Sequence, residues 1–244
     1  MTCCKLYTAG YTAALSYAIN YLKGKNFTIL SQPESATHLL LPVPSFEPDG
    51  RIKGGGDLCE LLGKLPKNIT ILGGNLNRPE FSEYPTIDFL QDPMYLAENA
   101  AITAHCAVKL AMGKLPVTLQ DCPVLVIGWG RIGKCLAALL RQMGASVTVA
   151  ARKETDRAIL TALGYGIAGT ENMDTTPYRV IFNTVPVMIS PETAGDALKI
   201  DLASSLGLGG SDVIWARGLP NNDAPESSGV LIARTAMRFV SGKE

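Results

Sequence analysis

Short apolar runs alternate with stretches of helical periodicity along the first third of this chain. Residues 5–9 form an apolar run turned by Gly10, residues 13–22 carry apolar positions three or four apart, and 27–30 form a second run. Short runs bounded by turn residues read as strands, and the wider spacing reads as one face of a helix. A third strand is predicted over 37–44, stopped by its prolines. The polar, glycine-rich segment 45–56 then reads as a loop, followed by a short helix over 58–62 and strands over 69–74 and 85–89. This alternation predicts that residues 1–92 form a small α/β domain of their own.

The pattern changes at residue 93. Leu96, Ala100, Thr103, Ala107 and Leu110 fall three or four apart, predicting one long helix within a connector region, 93–118. Strand–helix alternation returns from 119. The apolar run 123–127 leads directly into Gly128-Trp129-Gly130-Arg131-Ile132-Gly133, where an amphipathic helix opens, and 146–151 supplies a second strand. In a dinucleotide-binding βαβ unit each glycine has its own task. The first makes the tight turn, the second lets the backbone approach a pyrophosphate, and the third lets helix and strand pack closely. The phosphates sit on unpaired N–H groups at the helix N-terminus.

Further on, 158–163 reads as a helix closed by Gly164, 172–174 as a turn, and 178–186 and 198–205 as strands that end in polar residues. Segment 206–212 reads as flexible, 218–225 as turn-rich, and Pro225 suits the first turn of a last helix ending near 239. The fold class is therefore α/β, with two α/β domains and a cleft between them. The second domain, 119–224, is a doubly wound Rossmann dinucleotide-binding domain, and the helix of 225–244 packs back toward the first.

Composition narrows the function classes. Basic and acidic residues both number 22, so net charge gives no argument for a nucleic-acid or anionic-membrane partner. No stretch approaches the ~18 consecutive apolar residues of a membrane span. The first residues lack the basic-then-apolar pattern of a secretion signal. Six cysteines lie scattered without paired C-x-x-C spacing, which argues against a metal site and for reduced thiols in a cytoplasmic setting.

The end of the second Rossmann strand bears on cofactor choice. NAD-binding proteins usually carry a carboxylate there, about 20 residues past the glycines, for the ribose 2′-hydroxyl. Here the strand ends Ala151-Arg152-Lys153, and a guanidinium suits a 2′-phosphate through paired hydrogen bonds. NADP(H) is expected over NAD(H), against the alternative of a solvated turn. In a doubly wound sheet the later strand ends also face the cofactor, so Asn183, Thr184, Val185, Pro186, Asp201, Ala203 and Ser204 are expected to line it. Ser45, Arg51 and Lys53 are candidates for holding an anionic substrate group, with a plain surface loop as the equal alternative. His105 lies on the connector helix. Histidine is a common general acid/base, although a lone helical histidine is more often a hydrogen-bonded structural residue.

Several motifs in order, Val124 to Gly133, Ala151-Arg152, Asn183-Thr184-Val185-Pro186, Ile200-Asp201-Leu202-Ala203-Ser204, Gly209-Gly210-Ser211-Asp212 and Gly218-Leu219-Pro220 with Ala224-Pro225, resemble the dipicolinate synthase A family. The resemblance runs from about Leu40 to the C-terminus. It implies a nicotinamide-dependent component of a two-component enzyme in the mother cell of a spore-forming bacterium. Such a component works with a flavoprotein-like second subunit to oxidise a dihydrodipicolinate-type ring to pyridine-2,6-dicarboxylate. It also implies kinship with two-domain 2-hydroxyacid and alanine dehydrogenases. Two departures bear on chemistry: His105 stands where the family has a carboxylate, and Glu226 where it has a lysine.

The leading expectation is hydride transfer from a cyclic dihydro-dicarboxylate to NADP⁺, with His105 as base on a helix able to place it beside the nicotinamide. The substrate carboxylates would meet Arg51, Lys53 and the backbone of Gly209 and Gly210. Two alternatives stand beside it: a dinucleotide-binding subunit that needs a partner for chemistry, and an NADP-dependent imine or 2-oxoacid reductase. Homo-oligomerisation is left open.

Overall fold

The computed structural model describes residues 4–170, 173–189 and 196–241. In chain order the strands are β1 (Lys5–Thr8), β2 (Thr28–Ile29), β3 (His38–Leu40), β4 (Thr70–Gly73), β5 (Thr86–Asp88), β6 (Pro123–Ile127), β7 (Ser146–Ala150), β8 (Gly166–Ala168), β9 (Val180–Asn183), β10 (Leu198–Asp201) and β11 (Ile214–Trp215). The α-helices are α1 (Ala13–Gly24), α2 (Leu58–Leu62), α3 (Pro93–Met112), α4 (Arg131–Gln142), α5 (Glu154–Ala162), α6 (Leu219–Asp223) and α7 (Pro225–Ser241). The chain divides into two compact units, Met1–Asn99 with Pro220–Glu244, and Ala100–Leu219. The division falls inside α3.

The first unit is built on a five-stranded parallel sheet in the order β2-β1-β3-β4-β5. Leu39, Leu41, Ile69 and Ile71 pack with Leu58, Leu61 and Phe81 into its core. Thr12 caps α1, its hydroxyl accepting from Leu15 N–H at 3.0 Å, which satisfies one of the unpaired donors of the first turn. The last helix crosses α1 closely. A Cβ at Gly229 would lie 2.5 Å from both Ala14 O and Tyr17 Cβ, so only glycine permits this approach. Asn221 in α6 donates to Val43 O at 3.2 Å, and Arg238 of α7 pairs with Asp92.

The second unit holds six parallel strands in the order β11-β10-β9-β6-β7-β8. Read from β8, this is the doubly wound order of a Rossmann domain, and the strand order reverses between β6 and β9. Val124, Leu125, Val126 and Ile127 are completely buried, as expected of a parallel strand covered on both faces. In α4, Gly133, Leu136, Ala137 and Leu140 are buried, forming one helical face.

Some local expectations shift. Segment 218–225 contains the short helix α6 rather than turns alone. Helix α5 begins at Glu154, ahead of the apolar residues that signalled it. Strands β8 and β11, not expected from the sequence, have three and two residues. Segment 206–212 is anchored rather than loose: Gly207 and Leu208 N–H donate to the Asp201 carboxylate at 2.7 and 2.8 Å. Of the turn expected over 172–174, Asn172 lies outside the described residues, and the nearest turn falls at Thr176 and Pro177.

Candidate dinucleotide site

The glycine loop joins β6 to α4 at the reversal of strand order. Gly128 has φ +105°, and a Cβ there would lie 2.4 Å from Thr184 Oγ1. A Cβ on Gly133 would lie 2.1 Å from Gly128 O. Both glycines are thus required by the protein's own packing. Gly130 differs, because a Cβ there meets nothing within 4 Å. Its backbone stands open to an incoming group. Gly130 is also the N-cap of α4, with no side-chain cap and no acidic residue in the first turn. The N–H groups of Arg131, Ile132 and Gly133 are therefore left for an anion. Arg131 is exposed. Trp129 packs edge-on against Tyr165 at 5.8 Å, with Lys134 Nζ 5.8 Å from its ring.

A cleft of about 470 Å³ opens beside the loop. Gly128, Trp129 and Gly130 form one side, Ala150, Ala151, Arg152, Lys153 and Asp156 another, and Val185, Pro186, Val187, Met188 and Ile189 a third. No carboxylate stands at the end of β7. Asp156, the single carboxylate lining the cleft among the described residues, lies in the first turn of α5, where a helix N-terminus favours negative charge. Arg152 and Lys153 are exposed, while Ala151 is buried. An uncapped helix N-terminus, an open glycine backbone and a basic strand end form a donor set that fits a pyrophosphate and a ribose 2′-phosphate.

The strand ends of β9 and β10 are held from within. Asn183 Nδ2 donates to Val185 O at 2.9 Å and to Asp201 Oδ2 at 3.0 Å. Its Oδ1 accepts from Val185 N–H at 3.1 Å. Thr184 Oγ1 donates to Ile127 O at 2.8 Å, tying β9 to the strand that carries the glycine loop. Asp201, wholly buried, also accepts from Ala203 N–H at 2.9 Å. The side chains of Asn183, Thr184 and Asp201, expected to line the cofactor, hydrogen-bond within the protein and hold these strand ends together. Pro186 and Ser204 are exposed and Ala203 is buried. Gly209 is half-buried and Gly210 exposed. Their loop is held by Lys199, which grips Asp212 at 2.8 and 3.0 Å and draws that carboxyl below its ordinary pKa through this hydrogen bond.

Two candidate residues lie away from this cleft. His105 does not border the cleft. It lines a separate hollow of about 150 Å³ with Cys135, Ala138, Leu139 and Gln142 of α4. With a rise of about 1.5 Å per residue, those positions lie roughly 8–18 Å down α4 from Gly130. The periodicity of α3 could not reveal which neighbour that face meets. Ser45 is the second. It is completely buried, donating to Pro42 O at 2.7 Å and accepting from Gly74 N–H at 2.9 Å, so its hydroxyl joins two strand ends. Arg51 is exposed and bound to Asp49 at 2.7 Å, which lowers the Asp49 pKa through hydrogen bonds from Arg51. Lys53 is half-buried, its N–H donating to Ser45 O and its carbonyl accepting from Tyr11 N–H.

Sequence reasoning did not single out Arg157, Thr170 or Met188. Thr170 and Met188 line the cleft. Arg157 holds the corner that carries Arg152, its Nη1 donating to Ala151 O at 2.9 Å and Arg152 O at 2.8 Å. An arginine in the first turns after a Rossmann strand was the available signal.

Fold and cleft together define the class: an α/β chain with the dinucleotide-binding fold of NAD(P)-dependent dehydrogenases. No family model matches the sequence, and no curated protein matches it. Solved structures do. Dipicolinate synthase A from Bacillus halodurans matches with a TM-score of 0.87 and 19% identity over 98% of both chains. Its counterpart from Bacillus subtilis matches at 0.84 and 20%, over 99% of this chain and 97% of that one. A transhydrogenase from Sinorhizobium meliloti follows at 0.68 and 12%, over 98% and 93%.

Proposed function

We propose that this chain is an NADP(H)-dependent oxidoreductase of the dipicolinate synthase A type. It oxidises a dihydrodipicolinate-type ring to pyridine-2,6-dicarboxylate. The observation that carries the cofactor reading is the pairing of the open Gly130 and uncapped α4 N-terminus with a β7 end bearing Arg152 and Lys153 in place of a carboxylate. The fold likeness to the two Bacillus dipicolinate synthase structures supports the substrate class. In this reading the chain works with a flavoprotein-like second subunit in the cytoplasm of a sporulating mother cell.

The nicotinamide group, when bound, supplies a hydride acceptor. The protein's residues do the rest. N–H groups at the start of α4 hold the pyrophosphate, with Arg131 adding positive charge. Arg152, assisted by Lys153, holds the 2′-phosphate. Asp201 and Asn183 keep the β9 and β10 ends in register, so that Val185 and Pro186 form a fixed wall. Loss of a hydride from one ring carbon and a proton from a neighbouring position completes the aromatic ring. The position of His105 beside α4 gives no support to its acting as that proton's acceptor.

Titration of the purified chain with NADPH and NADH tests the cofactor reading. NADPH should bind more tightly, with the preference abolished in Arg152→Ala; equal affinity in the wild type would overturn it. Turnover of a dihydrodipicolinate-type substrate, compared with a panel of cyclic imines and 2-oxoacids, tests the substrate class.

A second reading has an observation in its favour. Among the described residues the cleft is lined by no histidine, and by a single carboxylate at a helix start. The chain would then bind the dinucleotide while a second protein supplies the proton-transfer group. Turnover by the purified chain alone would exclude it.

A further inference from the structure

The corner between β7 and α5 carries the basic pair assigned above to the 2′-phosphate, and both residues are exposed. An exposed arginine on a turn has little reason to keep one direction, since surface side chains lose rotamer freedom when they are ordered. What is ordered at this corner is the backbone: Ala151 N–H donates to Ala168 O at 3.2 Å, and one side chain adds two further bonds. The guanidinium of Arg157, one turn into α5 and half-buried, reaches back so that Nη1 donates to both Ala151 O at 2.9 Å and Arg152 O at 2.8 Å. Nη2 lies 3.7 Å from the Glu154 carboxylate. The two carbonyls are the first two after β7, on the segment that leads into α5. Tied to one planar group, they fix the peptide plane from which the Arg152 side chain departs.

The position of Arg157 also settles what it does not do. Nη1, which is engaged with two carbonyls, is committed to the chain itself, and Arg157 does not line the cleft. Its charge is held beneath the corner and offset by Glu154. Hydrogen bonds donated by a charged group are stronger than neutral ones, and two of them on adjacent carbonyls leave the turn little freedom.

We propose that Arg157 is the positioning residue for 2′-phosphate selectivity, acting through the Ala151–Arg152 backbone. This rests on reading the cleft as an NADP(H) site. Arg152 is the residue that meets the phosphate. Arg157 fixes the backbone from which the Arg152 side chain would reach it. A residue that merely supports the fold would weaken all adenine nucleotides alike when removed. One that aims Arg152 would weaken only those bearing the 2′-phosphate.

The test uses the adenosine half of each cofactor, so that turnover is not needed. Affinities of 2′,5′-ADP and 5′-AMP are measured by calorimetry on wild type, Arg157→Met and Arg157→Lys. Methionine keeps most of the apolar stem and removes the donors. Arg157→Met should lose 2′,5′-ADP affinity roughly tenfold, the loss of about one charge-assisted hydrogen bond, with 5′-AMP unchanged. Arg157→Lys, able to reach one carbonyl, should fall between. If Arg157→Met does not fold, Arg157→Lys alone decides by the same ratio. An equal loss for both ligands, or no loss for either, overturns the proposal while leaving the NADP(H) reading intact. A wild type that does not favour 2′,5′-ADP over 5′-AMP overturns the cofactor reading and this inference with it.

Discussion

The Asp201 carboxylate accepts the Asn183 side-chain amide at 3.0 Å, joining the ends of two neighbouring strands inside a wholly buried environment. The same carboxylate takes N–H donors from Ala203, Gly207 and Leu208. Replacing it by alanine leaves three buried backbone N–H groups without an acceptor and the Asn183 amide with Val185 O alone. Asp201→Ala should lose about 3 kcal/mol or more of stability. Asp201→Asn, which keeps one oxygen, should lose less. Denaturant midpoints check both; an unchanged midpoint in the alanine variant would mean that solvent serves these donors and that they do not hold the rim.

Two glycines of one loop should respond in opposite ways. Gly133→Ala brings a methyl group to 2.1 Å from Gly128 O and should destabilise the fold by about 2 kcal/mol, in the range of overpacking. Gly130→Ala meets nothing within 4 Å and should fold, losing no more than about 1 kcal/mol for alanine at the N-cap. On the proposed dinucleotide reading its affinity should nevertheless fall at least about tenfold, because the methyl would meet the pyrophosphate. Wild-type affinity in Gly130→Ala would remove the pyrophosphate from this loop.

His105 is separated from the cleft along α4. His105→Ala should therefore leave dinucleotide affinity within about twofold of wild type, a difference under 0.5 kcal/mol. If turnover is established, kcat should also persist. A variant that binds cofactor normally yet loses turnover would return the histidine to the chemistry.

The crossing of α7 over α1 offers a paired test of packing against polarity. Gly229→Ala would press a methyl group to 2.5 Å from the Ala14 carbonyl oxygen and should cost about 2 kcal/mol. Its neighbour Ser228 has a buried hydroxyl without a hydrogen-bond partner among the described residues. Ser228→Ala removes a desolvated polar group and should be neutral or stabilising by up to about 1 kcal/mol. Thermal unfolding of the two variants separates them by sign.

His38 supplies a pH dependence. Partial burial at the start of β3 holds its pKa below the ordinary histidine value, beside the Thr37 hydroxyl at 2.9 Å and Cys4 Sγ at 3.6 Å. The folded state thus binds the proton less readily than the unfolded state. Its contribution is complete above the unfolded pKa of about 6.5 and is lost as pH falls toward the folded value. The unfolding midpoint should drop below about pH 6.5 more steeply in wild type than in His38→Gln. Identical pH profiles would remove His38 as the cause.

Much of the fold was legible because its signals are local. An apolar run followed by three spaced glycines and an amphipathic face states strand, turn and helix within twenty residues of chain, and the β6–loop–α4 corner follows that order. The basic residues after β7 were legible for the same reason. Strands β8 and β11 were not singled out, and their place is set by pairing with β7 and β10. Ser45 looked like a loop hydroxyl offered to a ligand. That its partners are Pro42 and Gly74, the second 29 positions away, is a property of strand order.

By itself the sequence determined the α/β class, the glycine corner and the basic end of β7, because each is written in neighbouring residues and enforced by backbone geometry. Tertiary structure decided which polar side chains remain to meet a ligand. Asn183, Thr184, Asp201 and Ser45 all carry groups fit for recognition, and all are claimed by donors or acceptors brought from other strands. His105 faces α4, where a helical wheel gave no direction. Most buried polar groups find a partner on folding, and only the packed sheet settles whether that partner is the protein or its ligand.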